Sequence, residues 1–168
     1  MLQKIVVMGV SGSGKSTFGR VLAEAMQASF IEGDEHHSAE SRDKMHRGIA
    51  LTDADREPWL DALAVRLLET QGQVVLACSV LKRSYRERLR ERVQGLAFVF
   101  LEIAQADALD RVAARAGHYF PATLVASQFD VLESPAGEPY VLCLQASADA
   151  GQNRVATLRW VDTLRGPV

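Results

Sequence analysis

Eight residues near the start of the chain have types and spacing that can do phosphate chemistry. Gly9-Val10-Ser11-Gly12-Ser13-Gly14-Lys15-Ser16 runs glycine, four residues, glycine, lysine, serine, the pattern of a phosphate-binding loop. The glycines let the backbone curl so that successive N–H groups converge on one concavity, to which a following helix adds its N-terminal dipole. Lys15 can reach the β- and γ-phosphates, and the Ser16 hydroxyl can ligate magnesium. The pattern means this only between a strand and a helix, and the flanks comply. Lys4-Ile5-Val6-Val7-Met8 is a short run rich in β-branched residues, as in a buried parallel strand. Thr17 to Gln27 carries Phe18, Val21, Leu22, Ala25 and Met26 at helical spacing. Gly9 to Ser16, with Thr17 opening the helix, is therefore assigned to a nucleoside triphosphate.

Ligands of an open α/β sheet bind at the carboxyl ends of the strands, which gathers other polar residues around Lys15. Asp34 follows a short second strand, Ala28 to Gly33. It can accept the proton of a substrate hydroxyl attacking the γ-phosphate, or it can cap the next helix. His37 reads first as a surface or hydrogen-bonded loop histidine. Ser79 ends a third strand where such proteins usually carry an aspartate for magnesium, and it is either a water-mediated ligand or a turn residue. Arg111 and Arg115, four apart and just before Gly117-His118-Tyr119-Phe120, are either a pair on a closing lid that brings charge to the phosphoryl group or solvated residues near a helix C-terminus. Trp59 and Trp160 lie on amphipathic helices and read as core.

The remaining elements must position these groups. A polar stretch from Glu35 to Arg47 has helix formers for one or two helices, closed by Gly48. Thr52-Asp53-Ala54-Asp55 is an N-cap with first-turn carboxylates, and Leu60, Leu63, Ala64, Leu67 and Leu68 mark the helix that follows. Strands at Gln73–Ala77, Leu96–Leu101 and Tyr140–Leu144 alternate with helices at Lys82–Arg92, Ala106–Ala116, Ala122–Leu132 and Asn153–Leu164. The last helix presents Val155, Leu158, Val161 and Leu164. This alternation predicts a five-stranded parallel sheet covered on both faces, in one α/β domain over 1–168.

Composition narrows the partners. The 168 residues are 48% apolar and 24% charged with a formal net charge of −2, which supplies no broad basic field for nucleic acid or a membrane surface. The local cluster Lys82 to Arg90 alternates with glutamates and reads as a solvated helix face. Two cysteines, Cys78 and Cys143, in or at the end of apolar runs read as buried free thiols in a reducing compartment. With no leader-like segment and no apolar run of membrane length, the expected location is the cytoplasm.

Taken together, the segments resemble the small P-loop gluconokinases, relatives of shikimate and nucleoside monophosphate kinases. The resemblance rests on Gly9 to Ser16, Gly33-Asp34-x-x-His37, Lys44-Met45 with Gly48, and Leu51 to Leu60. It continues through Cys78-Ser79-Val80-Leu81-Lys82 with Tyr85-Arg86, and Arg115-x-Gly117-His118-Tyr119-Phe120 leading to Ser127-Gln128-Phe129. It implies a P-loop kinase fold with a substrate segment near 34–60 and a small lid near 115–130, mobile until ATP and substrate bind. It also implies transfer from ATP, with Mg2+, to D-gluconate, giving 6-phospho-D-gluconate in a homodimer. Carried over, Asp34 resembles the acidic residue at the acceptor hydroxyl, His37, Arg56, Ser79 and Lys82 resemble substrate positions, and Arg111 and Arg115 look like lid residues against adenine and phosphate. His36-His37-Ser38 stands where Leu-His-Pro is more usual, which weakens the stiffening of that turn. Two other readings share the loop: a shikimate- or nucleoside-monophosphate-type kinase, and a slow nucleotide switch, for which an Asn-Lys-x-Asp signature is absent.

Overall fold

The computed structural model describes residues 3–115 and 121–166. Five strands form one sheet in the order β2-β3-β1-β4-β5: β1 Lys4–Met8, β2 Ser29–Glu32, β3 Val74–Ala77, β4 Ala97–Glu102 and β5 Val141–Gln145. Every pairing is parallel, with Val6 beside Leu76 on one side and Phe98 on the other. The helices are α1 Lys15–Met26, α2 Ala39–His46, α3 Asp53–Glu69, α4 Arg83–Arg92, α5 Gln105–Ala113, α6 Ala122–Val131 and α7 Ala150–Leu164, and a 3-10 turn spans Gly33–His36.

Alternation along β1 divides the core. Val6 and Met8 pack with Trp59, Leu60, Leu63 and Leu67 of α3 and Leu89 of α4. Ile5 and Val7 face Phe18, Leu22 and Met26 of α1 and Val161 of α7. A third cluster joins Val10 of the glycine loop to Leu81, Ala108, Val112 and Val125, tying α5 and α6 to the end of the sheet where the loop lies. From β1 the chain crosses to the edge strand β2, returns to β3 beside β1, and then passes to β4 and β5 on the other side. The β1 end is thus the switch point at which a crevice opens.

The start of α3 follows from local sequence. The Thr52 hydroxyl accepts from the Asp55 N–H at 3.2 Å, and the Asp55 carboxylate accepts from the Thr52 N–H at 2.8 Å, a reciprocal cap that satisfies two otherwise unpaired donors. Elsewhere the structure corrects the sequence. Helix α5 stops at Ala113, so Arg115 lies beyond it and does not share a helix face with Arg111. Cys78 is buried, but Cys143 is exposed because β5 is an edge strand. On α7, Asn153, Thr157 and Val161 are the buried residues, whereas Val155 is exposed. Among the described residues no helix is long and apolar enough to cross a membrane.

The largest correction concerns α4. Arg86 is fully buried, not solvated. Its Nη1 donates to the Val80 and Leu81 carbonyls at 2.9 Å each, its Nη2 to the Glu133 carbonyl at 3.0 Å, and its Nε and Nη2 to the Glu138 carboxylate. Arg90 also reaches Glu138, at 2.8 Å. The guanidinium thereby holds the turn after β3, where Val80 has φ +32°, a conformation that costs a β-branched residue about 1–3 kcal/mol. Removing one partner of a buried ion pair leaves the other uncompensated, so Arg86→Ala is expected to cost about 3–5 kcal/mol. Urea unfolding of the variant measures this, and a midpoint close to that of the unmodified protein would contradict it.

Candidate active site

The glycine loop leaves β1 and enters α1 through Gly14, whose φ of +85° puts it in the left-handed region, with no side-chain cap on the helix. The first N–H groups of α1 are left available to an anion. Gly12 is needed for a second reason. Besides its φ of +85°, a Cβ there would lie 2.6 Å from the Ala108 carbonyl oxygen, so α5 can approach the loop only at a glycine.

Beside the loop is a cavity of about 590 Å³ whose walls include Lys15, Ser16, Glu32, Asp34 and Arg115. A lysine, a hydroxyl, two carboxylates and an arginine around one space can hold a triphosphate and accept a proton from an attacking hydroxyl. A neighbouring cavity of about 600 Å³ shares Gly14 and Thr17 and adds Phe18, Val21, Leu101 and Arg111. Arg111 ties the second cavity to the glycine loop, its Nη1 donating to the Gly12 carbonyl at 3.4 Å and its Nη2 to the Ala146 carbonyl at 3.3 Å.

Asp34 lies in the 3-10 turn, its side chain 62% exposed. It caps nothing. Helix α2 is capped by Ser38, whose hydroxyl accepts from the Ser41 N–H at 3.1 Å, so the serine at that position starts the helix itself. His37 is buried, and its ring stacks on Trp59 with centroids 4.2 Å apart. Trp59 is held in turn by its Nε1, which donates to the Gly33 carbonyl at 2.8 Å. The tryptophan is therefore both core and platform. The His37 Nε2 lies 4.0 Å from Asp34. Burial is the main cause that pushes the imidazole down to about 4. His37 is thus neutral at pH 7.

Arg56 sits over two rings, 6.0 Å from the Trp59 centroid and 5.6 Å from that of Tyr85, and its charge is felt at His37. Its near carboxylates are engaged elsewhere. Asp53 accepts from Lys82 at 2.8 Å and from the Tyr85 hydroxyl, and Asp55 accepts from Lys44 at 2.8 Å. Among the described residues no carboxylate lies within ion-pair distance of Arg56. Lys82 is already paired, and Ser79 is buried and does not line the phosphate cavity. The structure brings Gly14, Lys15, Ser16, Thr17, Asp34 and Arg115 together, with Ser11 and Gly12 at the rim. Gly117 to Phe120, assigned to the lid, lie outside the described residues.

The AAA domain family matches residues 5–139. A gluconokinase of Arabidopsis thaliana is 44% identical over 147 residues, 77% of each chain. The thermosensitive gluconokinase of Escherichia coli is 40% identical over 136 residues, 79% of this chain and 73% of its own. The chain belongs to the gluconokinase family. The crystal structure of a gluconokinase from Sinorhizobium meliloti superposes with a TM-score of 0.88 at 44% identity, over 96% of this chain and 93% of that one. A sugar kinase from a Janibacter species gives 0.90 at 36% identity, over 96% and 95%.

Within this gluconokinase-family site, the sequence reading missed Glu32, Tyr85 and Asp53. Glu32 ends β2 and lines the phosphate cavity beside Ser16, and burial, the main cause, raises its carboxyl above the usual range. Five buried side-chain polar atoms lack a hydrogen-bond partner among the described residues, and three of them are Ser13 Oγ, Glu32 Oε1 and His37 Nδ1. Of these, Glu32 belongs to the lining of the phosphate cavity. The available signal for Glu32 was a carboxylate closing a strand one residue before Gly33-Asp34.

Proposed function

We propose that this protein transfers the γ-phosphoryl group of ATP to D-gluconate, giving 6-phospho-D-gluconate and ADP. The observation that carries this is Arg56, cationic, lying over Trp59 and Tyr85 and without a carboxylate partner among the described residues, with Trp59 stacked on His37 and His37 beside Asp34. A polyhydroxy acid meets the needs of that wall. Its carboxylate pairs with Arg56, its hydroxyls meet neutral His37, and the terminal hydroxyl is presented to Asp34.

In this reading Lys15 binds the β- and γ-phosphates and the loop N–H groups hold their oxygens. Ser16 and Glu32 supply hard oxygen donors that fit Mg2+, directly or through water, and the buried, unpaired Glu32 Oε1 supports that fit. The cation supplies charge neutralisation at the phosphates. Asp34 accepts the proton of the attacking hydroxyl, and Arg115 brings positive charge to the transferring group. The Arg111 cavity, with Phe18, Val21 and Leu101, takes adenosine. Lys82, released from Asp53, and Ser79 are substrate contacts of lower rank. A lid near 115–130, anchored at its α6 end through Val125, and a homodimer belong to the same proposal on the strength of the family resemblance, and a cytoplasmic location and the absence of nucleic acid as a ligand belong to it on composition and net charge.

The test is acceptor selectivity. Removing the substrate carboxylate leaves Arg56 donors unpaired at a cost of about 1–3 kcal/mol, so gluconate is expected to exceed glucitol by roughly ten-fold to several hundred-fold in kcat/KM. Arg56→Ala should raise KM for gluconate and shrink that ratio, with ATP affinity little changed. A coupled ADP assay across gluconate, glucitol, glucose, shikimate and nucleoside monophosphates measures it. Equal use of glucitol by the unmodified protein, or an unaltered ratio in Arg56→Ala, would contradict the assignment.

A further inference from the structure

We propose that Gln128 is a positioning residue of the phosphate loop, a role that rests on nucleotide binding there. Gln128 lies on α6, 117 residues from Ser11, and its Oε1 accepts from the Ser11 N–H at 2.6 Å. Ser11 lines the phosphate cavity and Gln128 does not, so the side chain acts on the loop and not on the ligand. Its base is firm. Leu124 and Val125 are buried, and Val125 packs in the cluster that contains Val10, Leu81 and Val112. The next loop residue is fixed from the other side. Arg111 of α5 donates to the Gly12 carbonyl at 3.4 Å, and the Ala108 carbonyl lies against Gly12.

Two consecutive loop residues are therefore clasped by two different helices, one through an N–H and one through a carbonyl. An anion site made of backbone N–H groups binds well only if those groups converge before the ligand arrives, because ordering them afterwards costs binding free energy. The Gln128 acceptor fixes the start of that curve and leaves the later N–H groups, at the head of α1, to the phosphates.

Gln128→Met keeps the length of the side chain and removes the acceptor. The dissociation constant for a non-hydrolysable ATP analogue is expected to rise roughly three- to ten-fold, the loss of one hydrogen bond, while that for gluconate stays within about two-fold. Amide exchange at Ser11 in the ligand-free variant should quicken by a similar factor. Gln128→Asn, which is shorter by one methylene and withdraws the oxygen from Ser11, should reproduce both shifts, and it serves if Gln128→Met does not fold. Unchanged nucleotide affinity would overturn the role, as would equal weakening of both ligands together with a lowered Tm. Failure of the unmodified protein to bind the analogue would instead refute the proposed function, and exchange at Ser11 would still decide whether Gln128 orders the loop.

Discussion

Lys15→Ala is expected to lower turnover by about 10²–10³. Lys15 is only 9% exposed and lies at the head of α1 with its cavity in front of it. In the proposed transfer a cation there would face the β- and γ-oxygens, on which charge builds as the phosphoryl group departs. It is fixed beforehand, so little reorganisation is needed at the moment of transfer. Steady-state kinetics at saturating ATP and gluconate measure the effect, with circular dichroism to show that the helix persists. Near-normal turnover would remove the phosphate loop from the chemistry.

Asp34→Asn should be comparably severe, about 10²–10⁴ in turnover, the usual worth of a positioned general base. The amide keeps the shape and removes the proton acceptor. The carboxylate lines the phosphate cavity and is 62% exposed, whereas the nearby imidazole is buried and does not line it. ATP affinity should hardly change if, as proposed, Asp34 serves the acceptor hydroxyl. A variant that lost ATP affinity and kept turnover at saturation would place Asp34 with the metal or nucleotide.

The parts legible in the sequence were those governed by near neighbours. The glycine loop, the Thr52–Asp55 cap and the two-sided strands declare themselves within a few residues, and their geometry follows. Arg86 shows the limit. Its neighbours on α4 alternate charge as a solvated face does, and its decisive partner, Glu138, is 52 residues away. Likewise Gly117 marked a helix end by composition, but α5 stops at Ala113, since Ala114 and Arg115 carry no local stop signal. Cys143 lies in an apolar run like those of central strands, and only the strand order reveals it as an edge. At the site, the resemblance implied substrate positions for Arg56 and His37. Their states, an arginine on two aromatic faces and a neutral stacked histidine, depend on Trp59 and Tyr85 arriving from α3 and α4. A helix start and a strand end also had to converge before Glu32 could meet Ser16.

The central claim is phosphoryl transfer to a polyol acid, and product stoichiometry tests it most directly. Purified protein is incubated with ATP, Mg2+ and gluconate, while ADP is counted enzymatically and the phosphorylated acid is identified by phosphorus–carbon correlation in NMR. The account predicts one phosphate on the C6 oxygen of gluconate for each ADP formed, with negligible ADP when gluconate is withheld. ADP released at the same rate without gluconate, and inorganic phosphate as its only counterpart, would show a nucleotide hydrolase or switch and contradict it.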